Sequence, residues 1–413
     1  MRKVLFIAYN FPPHGGAGVQ RSTKFVRYLH DNGWEPIVLT SDEDACEIRD
    51  DSLISQIPQH VRVERVKAFS INRFIRRANK LKLRYPAKVV NAALGIPDAA
   101  HLWSRACRKR AMQIIQQEEV IAIYTTSAPY STHLLGKWLK EQTGLPWLAD
   151  FRDPWSANYL VPMLPGYRHL NRIMEKSVLL SADCIVSVSK PILDDFEKLV
   201  APCNISLEEI PNGFDENEVF RLPKKEKSDV FRILYTGSFG LTRRPDSFIE
   251  ALYELLNKQS IAAHEIEVTF VGQDMQKYIP THPSLNALDY VNHRELHDLR
   301  EASDALLLII VDNPANLGTY TGKLFEYIAL NRPIIAVAPK QGVATALIKN
   351  TKTGFVAGGE SEDIQVALLK AIESWRSSWP DWQPDTKVIG NYSRQKQTER
   401  LASLLCSITK NRT

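Results

Sequence analysis

The sequence predicts two α/β domains, each built on a parallel sheet with helices on both faces. Three observations support this prediction. The chain has 413 residues, which is enough for two domains of ordinary size. Short apolar runs alternate with segments of helical periodicity, which is the pattern of a parallel sheet with crossover helices. This alternation occurs once in each half of the chain.

Twelve apolar runs of strand length are predicted, six in each half. Those of the first half are 3–8, 36–40, 61–66, 121–125, 147–150 and 184–188. Those of the second half are 231–236, 266–271, 288–291, 305–311, 334–338 and 354–356. Between them, 20–32 and 246–258 have the spacing of amphipathic helices, and Gly33 is a natural helix C-cap after the first.

A domain boundary is predicted at the turn Pro211-Asn212-Gly213, with the polar segment 221–229 as a linker. The first domain would span 1–210 and the second 211–391. The last helical pattern, 392–413, has no strand after it. We therefore expect this helix to complete the first domain.

The composition excludes several classes of protein. The chain is 44% hydrophobic and 24% charged, which is ordinary for a globular protein. The longest apolar run, 305–311, is too short to span a membrane. The five cysteines are scattered and the N-terminus lacks the pattern of a signal peptide, so we expect a cytoplasmic protein. A net charge of +5 is no signature of nucleic-acid binding.

One basic segment, 73–88, contains no acidic residue and interleaves cations with apolar side chains. Two interpretations stay open: a solvated helix face, or an amphipathic surface for anionic lipid. Nucleic acid is a weaker third, since no recognition module accompanies the segment. The cations of the lipid interpretation are Arg73, Arg76, Arg77, Lys80, Lys82 and Arg84.

A glycine-rich loop follows the first predicted strand. Gly15, Gly16 and Gly18 precede the first helix, where free backbone N–H groups favour an anion. The spacing matches neither the dinucleotide fingerprint nor a P-loop. The loop indicates an anionic ligand, with ordinary turn glycines as the alternative.

Two segments of the second half have the same character. Lys323 and Glu326 stand one turn apart at the start of a helix that follows a buried strand. A cation there suits phosphate and a carboxylate suits sugar hydroxyls, although an ordinary i,i+3 ion pair would have the same spacing. Tyr235–Arg244 places loop glycines and the cations Arg243 and Arg244 after another strand.

These segments together resemble the retaining nucleotide-sugar glycosyltransferases of family 4. The matching motifs are G-G-A-G (15–18), D-F-R-D-P-W (150–155), I-P-N-G-F-D (210–215), Y-T-G-S (235–238) and Y-T-G-K-L-F-E-Y-I-A-L-N-R-P-I-I (320–335). The resemblance spans nearly the whole chain. It implies the GT-B fold: two Rossmann-like domains facing across a cleft, with a C-terminal helix crossing back. Residues 125–133, followed by 150–155, resemble a bacterial branch that builds surface polysaccharides.

The resemblance also implies roles for single residues. Glycines of the first loop would contact the donor and the reacting centre, cations would bind its diphosphate, and Glu326 would bind the ribose hydroxyls. The choice between Arg243 and Arg244 stays open. The donor-binding set is Gly15, Gly16, Arg243, Thr321, Gly322, Lys323 and Glu326.

The sequence departs from the family pattern in two places. In the E-x7-E motif the first position is Gly318, so contact with the transferred sugar would fall to Asn316, Thr319 or the backbone. The histidine that many members place after the fourth strand is absent from 125–127. His133 follows inside the next helix, with a structural role as its alternative.

The candidate catalytic residues are Asp150, Asp153 and His133. Either aspartate could orient or deprotonate an acceptor hydroxyl, although an aspartate before proline, such as Asp153, often only makes a turn. No metal site is predicted. Asp42-Glu43-Asp44 matches a metal–nucleotide pattern of other glycosyltransferase folds, but acidic residues after Ser41 also suit a helix start.

The resemblance therefore implies a retaining, metal-independent, hexosyltransferase-like enzyme that needs no cofactor, since the nucleotide-sugar is its substrate. Its acceptor would be a lipid-linked glycan of cell-surface polysaccharide synthesis, met at the inner face of the cytoplasmic membrane. Two alternatives stay open: a GT-B transferase with a soluble acceptor, and a non-catalytic nucleotide-sugar-binding protein.

Overall fold

The structure is a computed structural model that describes residues 1–46, 48–68, 96–158, 166–218, 222–223, 228–240, 243–380 and 382–410. The chain divides into two compact units. Unit 1 comprises Met1–Asn212 and Arg394–Thr413, and unit 2 comprises Gly213–Ser393. The basic segment 73–88 lies outside the described residues.

Unit 1 contains a seven-stranded parallel sheet in the order β3-β2-β1-β4-β5-β6-β7. The strands are β1 Arg2–Ala8, β2 Trp34–Ser41, β3 Arg62–Val66, β4 Ala122–Ser127, β5 Trp147–Phe151, β6 Cys184–Ser187 and β7 Leu207–Glu209. Its helices are α1 Ala17–Leu29, α2 His101–Gln117, α3 Ser131–Thr143, α4 Tyr167–Ser181, α5 Lys190–Val200 and α12 Arg394–Lys410. Short 3₁₀ helices span His30–Asn32, Glu43–Ala45 and Asp51–Gln56.

Two apolar layers cover the faces of this sheet. Strand β1 shows why the run 4–8 is apolar: Phe6 joins the layer on one face, and Leu5 joins the layer on the other. A strand buried on both faces reads as a continuous apolar run, because its side chains alternate between the faces. Leu401 and Leu405 of α12 belong to the same layer as Phe6. The C-terminal helix therefore completes the core of unit 1.

Unit 2 contains a six-stranded parallel sheet in the order β10-β9-β8-β11-β12-β13. The strands are β8 Phe231–Thr236, β9 Ile266–Val271, β10 Leu285–Leu288, β11 Ala305–Ile309, β12 Ile334–Val337 and β13 Gly354–Ala357. Its helices are α6 Asp246–Asn257, α7 His293–Ala302, α8 Gly322–Ala329, α9 Val343–Thr351, α10 Ser361–Arg376 and α11 Thr386–Gly390, with 3₁₀ helices at Met275–Lys277 and Pro314–Asn316. Apolar layers again pack on both faces of the sheet.

The predicted fold class is confirmed: two doubly wound α/β units, with a last helix that returns to the first. Apart from shifts of one or two residues at the ends of strands, three details differ. The strand predicted at 288–291 lies at Leu285–Leu288, where Leu288 pairs with Val271, the last residue of β9. Strand β7 was not predicted, since Leu207–Glu209 is short and mostly acidic. Helix α1 begins at Ala17, earlier than predicted.

The end of the first helical segment follows the prediction. A 3₁₀ turn, His30–Asn32, continues α1, and Gly33 closes it with a φ of 79°, in the left-handed region that glycine adopts readily. Among the helices that the structure describes, none is long and apolar enough to cross a membrane.

Candidate functional site

Two loops of unit 2 meet at the carboxyl edge of its sheet. Strands β8 and β11 are neighbours, so the glycine loop after β8 lies beside the segment that leads from β11 to α8. Gly237 has a φ of 121°, and a Cβ atom built on it would stand 1.8 Å from the Nζ atom of Lys323. The lysine side chain therefore lies directly against Gly237, and any larger residue would displace it.

The Lys323 ammonium is buried and has no hydrogen-bond partner in the described part of the chain. It lies 4.6 Å from the ring centroid of Tyr235, within cation–π range. Burial, together with a smaller effect of the nearby Arg243 guanidinium, lowers the pKa of Lys323 to about 7, while Glu326 opposes the change. A desolvated amine without a partner favours the binding of an anion.

Other features of this edge also suit an anion with several oxygens. Thr321 is the N-cap of α8, yet its Oγ1 caps no backbone group and is buried without a partner among the described residues. Gly322, the first residue of the helix, is exposed. Backbone N–H groups at the start of α8 add a partial positive charge.

The structure does not form the ordinary Lys323–Glu326 ion pair, which was the alternative interpretation of this spacing. Glu326 pairs instead with Arg300 of α7, whose Nη2 donates to Glu326 Oε2 over 3.0 Å. The carboxylate side chain is 43% exposed, so a ligand can reach it. Sequence reasoning missed Arg300, because the helical pattern of 293–302 says nothing about a partner 26 residues away.

The two arginines of the glycine loop differ in their surroundings. Arg244 is exposed, and its Nε donates to Asp246 Oδ2 over 2.8 Å. The Arg243 guanidinium lies close enough to Lys323 to lower the pKa of its amine. Arg243 is therefore the arginine that accompanies Lys323.

The loop that holds Gly318 closes on itself. Asn316 is buried, and its Nδ2 donates to the carbonyl of Val311 over 2.8 Å, while the backbone N–H of Thr319 donates to the carbonyl of Asn316. The Asn316 side chain thus fixes the loop after β11.

In unit 1 the predicted glycine loop borders a cavity of about 100 Å³. The Gly15 N–H donates to the carbonyl of Ile48 over 2.7 Å, which fixes the loop. Gly16 has a φ of 107°, and α1 begins after it with no side-chain cap and no acidic residue in its first turn. The cavity is lined by Ala8, Tyr9, Asn10, Gly15, Gly16, Gly18, Val19, Ser22, Thr126, Ala128 and Arg152.

Arg152 is the cation of this cavity, and sequence reasoning missed it. Its Nε donates to the carbonyl of Ser127. A Cβ atom on Gly18 would stand 1.6 Å from its Nη1, so the guanidinium occupies the space that the glycine leaves. Arg152 is part of the motif D-F-R-D-P-W (150–155), but the sequence prediction assigned roles only to the two aspartates of that motif.

Asp150 lies in the interior rather than at the cavity. Arg21 donates to both of its oxygens over 3.0 and 2.9 Å, and Tyr124 and Thr126 donate to Oδ2 over 2.7 and 3.3 Å. Burial alone would raise the pKa of Asp150, but the charge and hydrogen bonds of Arg21 outweigh it and lower the pKa. This geometry gives Asp150 a structural role, with no free oxygen for an acceptor.

His133 and Asp153 differ in exposure. His133 is fully buried, stacks on Phe151 at 4.1 Å and has its Nδ1 2.8 Å from Thr125 Oγ1. Burial lowers the pKa of His133 to about 3, so its imidazole is neutral. Asp153 is exposed on the loop after β5, where a substrate could reach it.

The Asp42-Glu43-Asp44 pattern has a local explanation. Asp42 is the N-cap of a 3₁₀ helix and accepts a hydrogen bond from the backbone N–H of Asp44 over 2.9 Å. Across the described ranges, no group of three His, Cys, Asp or Glu side chains has the arrangement of a metal site.

Comparison with solved structures gives the fold. Sucrose-phosphate synthase from Thermosynechococcus elongatus is 14% identical, with a TM-score of 0.68 and all of both chains covered. The lipopolysaccharide outer core galactosyltransferase WaaB is 11% identical, with a TM-score of 0.63 over 98% of this chain and 99% of that one. Anabaena HepE, solved with UDP-glucose, is 15% identical, with a TM-score of 0.54 over 100% and 98%.

These likenesses identify the fold as GT-B, with its two Rossmann-like α/β domains. No protein-family model matches the sequence. No curated protein sequence matches it either.

Proposed function

We propose that this protein is a glycosyltransferase that moves a sugar from a nucleoside diphosphate donor, a UDP- or GDP-sugar, to an acceptor hydroxyl. The observation that carries the proposal is the buried ammonium of Lys323, which lies between Gly237, Tyr235 and the start of α8 and has no hydrogen-bond partner among the described residues. Similarity of fold to WaaB and to HepE, which was solved with UDP-glucose, supports it.

The donor diphosphate binds Lys323 and Arg243, together with Thr321 and the backbone N–H groups from Gly322 onward. Charge-assisted hydrogen bonds of this kind are about twice as strong as neutral ones. Glu326 binds the ribose hydroxyls through its exposed carboxylate. In unit 1, Gly15 and Gly16 let a ligand approach the backbone of the first glycine loop closely.

The chemistry follows from where charge develops. The bond from the anomeric carbon to the diphosphate oxygen breaks, and a bond from that carbon to the acceptor oxygen forms on the same face. The acceptor proton passes to the departing diphosphate, and the configuration is retained. Fixed cations at Lys323 and Arg243 stabilise the growing negative charge without a metal. Asp153 is the acceptor-side carboxylate, since it is exposed.

The acceptor is a lipid-linked glycan of cell-surface polysaccharide synthesis, at the cytoplasmic face of the membrane. The cations of 73–88 support this part of the proposal by their sequence alone. Binding to vesicles with anionic phospholipid, measured at low salt, tests it. A chain that transfers sugar but ignores such vesicles would indicate a soluble acceptor.

The central experiment measures the release of UDP or GDP from nucleotide-sugars in the presence of membrane glycan acceptors. Lys323→Ala should lower the rate at least a hundredfold, since removing one preorganised group that stabilises developing charge costs about 10² to 10³ in rate. Lys258→Ala is the matched control. Lys258 is exposed at the C-terminal end of α6, the end away from the glycine loop, and pairs with Glu254. Nucleotide binding without any turnover would favour a non-catalytic binding protein.

A further inference from the structure

We infer that Arg300 is a positioning residue of the donor site. It holds Glu326 where the ribose binds and keeps that carboxylate away from the Lys323 ammonium. The inference rests on the proposed donor site and assigns to it the residue that makes it selective for ribonucleotides.

Arg300 of α7 contacts the carboxylate of Glu326 on α8. Helices α7 and α8 precede and follow strand β11 along the chain, and each contributes one partner of the pair. The Arg300 side chain is 21% exposed, and its Nη2 reaches Glu326 Oε2 at 3.0 Å. Its Nε is buried and has no partner in the described part of the chain, so Glu326 is the one side chain that it bonds there.

This contact leaves half of the Glu326 carboxylate for a ligand. A carboxylate has two oxygens with about four acceptor positions. Arg300 takes Oε2, and no other hydrogen bond to the Glu326 side chain is formed within the described residues. Oε1 is therefore available to accept from two vicinal hydroxyls. A carboxylate fixed in this way needs no reordering when the ribose arrives, which favours affinity.

The same contact keeps Lys323 available. Lys323 and Glu326 are three residues apart on α8, so they are natural partners. The described structure nevertheless places the ammonium on Gly237 and Tyr235, and the carboxylate on Arg300. Without Arg300, Glu326 would turn to the ammonium and compete with the diphosphate for it.

A comparison of affinities for ribonucleotides and deoxyribonucleotides tests whether Arg300 positions Glu326. Calorimetry on the full chain compares UDP with 2′-deoxy-UDP, or GDP with 2′-deoxy-GDP, whichever the wild type binds. We expect the wild type to prefer the ribonucleotide by about tenfold, the value of one charge-assisted hydrogen bond. Arg300→Met should reduce this preference to about twofold or less, and Arg300→Lys should restore it in part because it keeps the charge.

The affinity for inorganic pyrophosphate, which has no ribose, tests whether Arg300 keeps Glu326 away from Lys323. Arg300→Met should weaken pyrophosphate binding about tenfold, and the double variant Arg300→Met/Glu326→Gln should recover most of that loss. Arg376→Met is the control, since Arg376 pairs with Glu265, next to the amino end of β9. This control should leave both measurements unchanged.

The outcomes separate the two claims. A wild type that binds neither UDP nor GDP overturns the proposed function and this inference with it. A wild type that binds nucleotide, with a ribose preference that survives in Arg300→Met, overturns only the positioning of Glu326. Unchanged pyrophosphate affinity in Arg300→Met overturns the protection of Lys323. If Arg300→Met does not fold, the same readings are taken on Arg300→Gln, which also removes the charge.

Discussion

Raising the pH from about 7.5 to about 9 should weaken nucleoside diphosphate binding by about tenfold per pH unit. Burial lowers the pKa of Lys323 to about 7 in the free protein, with Arg243 adding to the effect. A bound diphosphate favours the charged amine and raises that pKa again. Between the two values, binding takes up one proton, so affinity falls as the free lysine loses its charge.

The pKa of Lys323 sets the size of the loss of affinity and of the change in stability. Over this range the affinity of the wild type should fall about thirtyfold. The lowering of the pKa from 10.5 to about 7 corresponds to about 5 kcal/mol at about 1.36 kcal/mol per unit. The unfolded chain holds the extra proton between these values, so the stability of the unliganded protein rises with pH there and is lowest below about 7. Lys323→Met should therefore raise the free energy of unfolding near neutral pH by about 2 kcal/mol, less than the full amount because the variant also loses the cation–π contact with Tyr235.

Calorimetry in two buffers of different ionisation enthalpy measures both the affinity and the proton uptake at each pH. Lys323→Met is the internal comparison: it should bind weakly, with no dependence on pH above about 7.5. Urea unfolding of the same two proteins measures the stability change. Affinity of the wild type that stays constant over this range would refute the reasoning, because the amine would then hold its proton without the ligand.

Three further outcomes are expected. Gly237→Ala should lower nucleotide affinity at least tenfold by displacing the Lys323 amine, whereas Gly240→Ala, with open space around it, should not; equal affinities in calorimetry would contradict this. Asp150→Asn should lower the free energy of unfolding by about 3–5 kcal/mol, because it breaks a fully buried ion pair; urea unfolding with an unchanged midpoint would show that the pair is not structural. His133→Gln should leave the pH–rate profile between about 5 and 8 unchanged, since burial keeps the pKa of His133 at about 3; a limb that disappears in the variant would make the histidine a titrating group.

The parts of the fold that the sequence predicts are those with a local cause. The predicted strands 231–236 and 266–271 match β8 and β9 residue for residue, because most of their buried positions carry apolar side chains, while Arg232 and Glu267 lie at half-buried positions. The same logic fails for Leu207–Glu209, where a short edge strand has little apolar content. The offset of β10 arises from its register with β9, which is a pairing between strands and has no local signal in the sequence.

The candidate site is predictable from sequence only as far as single elements carry it. Glycine loops and helix starts are local, and the structure places Lys323 at such a start. Partners are not local. Arg21 with Asp150, and Arg300 with Glu326, join residues 129 and 26 positions apart. The packing of whole helices and strands therefore decides which carboxylate has its oxygens occupied. The spacing of residues along the sequence does not contain this information.

The return of helix α12 to unit 1 has a consequence for how the chain is made. Leu401 and Leu405 complete the apolar layer that also contains Phe25 and Leu29. These leucines leave the ribosome after the whole of unit 2, while unit 2 is one continuous stretch of chain. Domains usually fold in the order of their synthesis. Here the half that is synthesised first must wait with one side of its sheet only partly covered, and the half that is synthesised second can close its core before it.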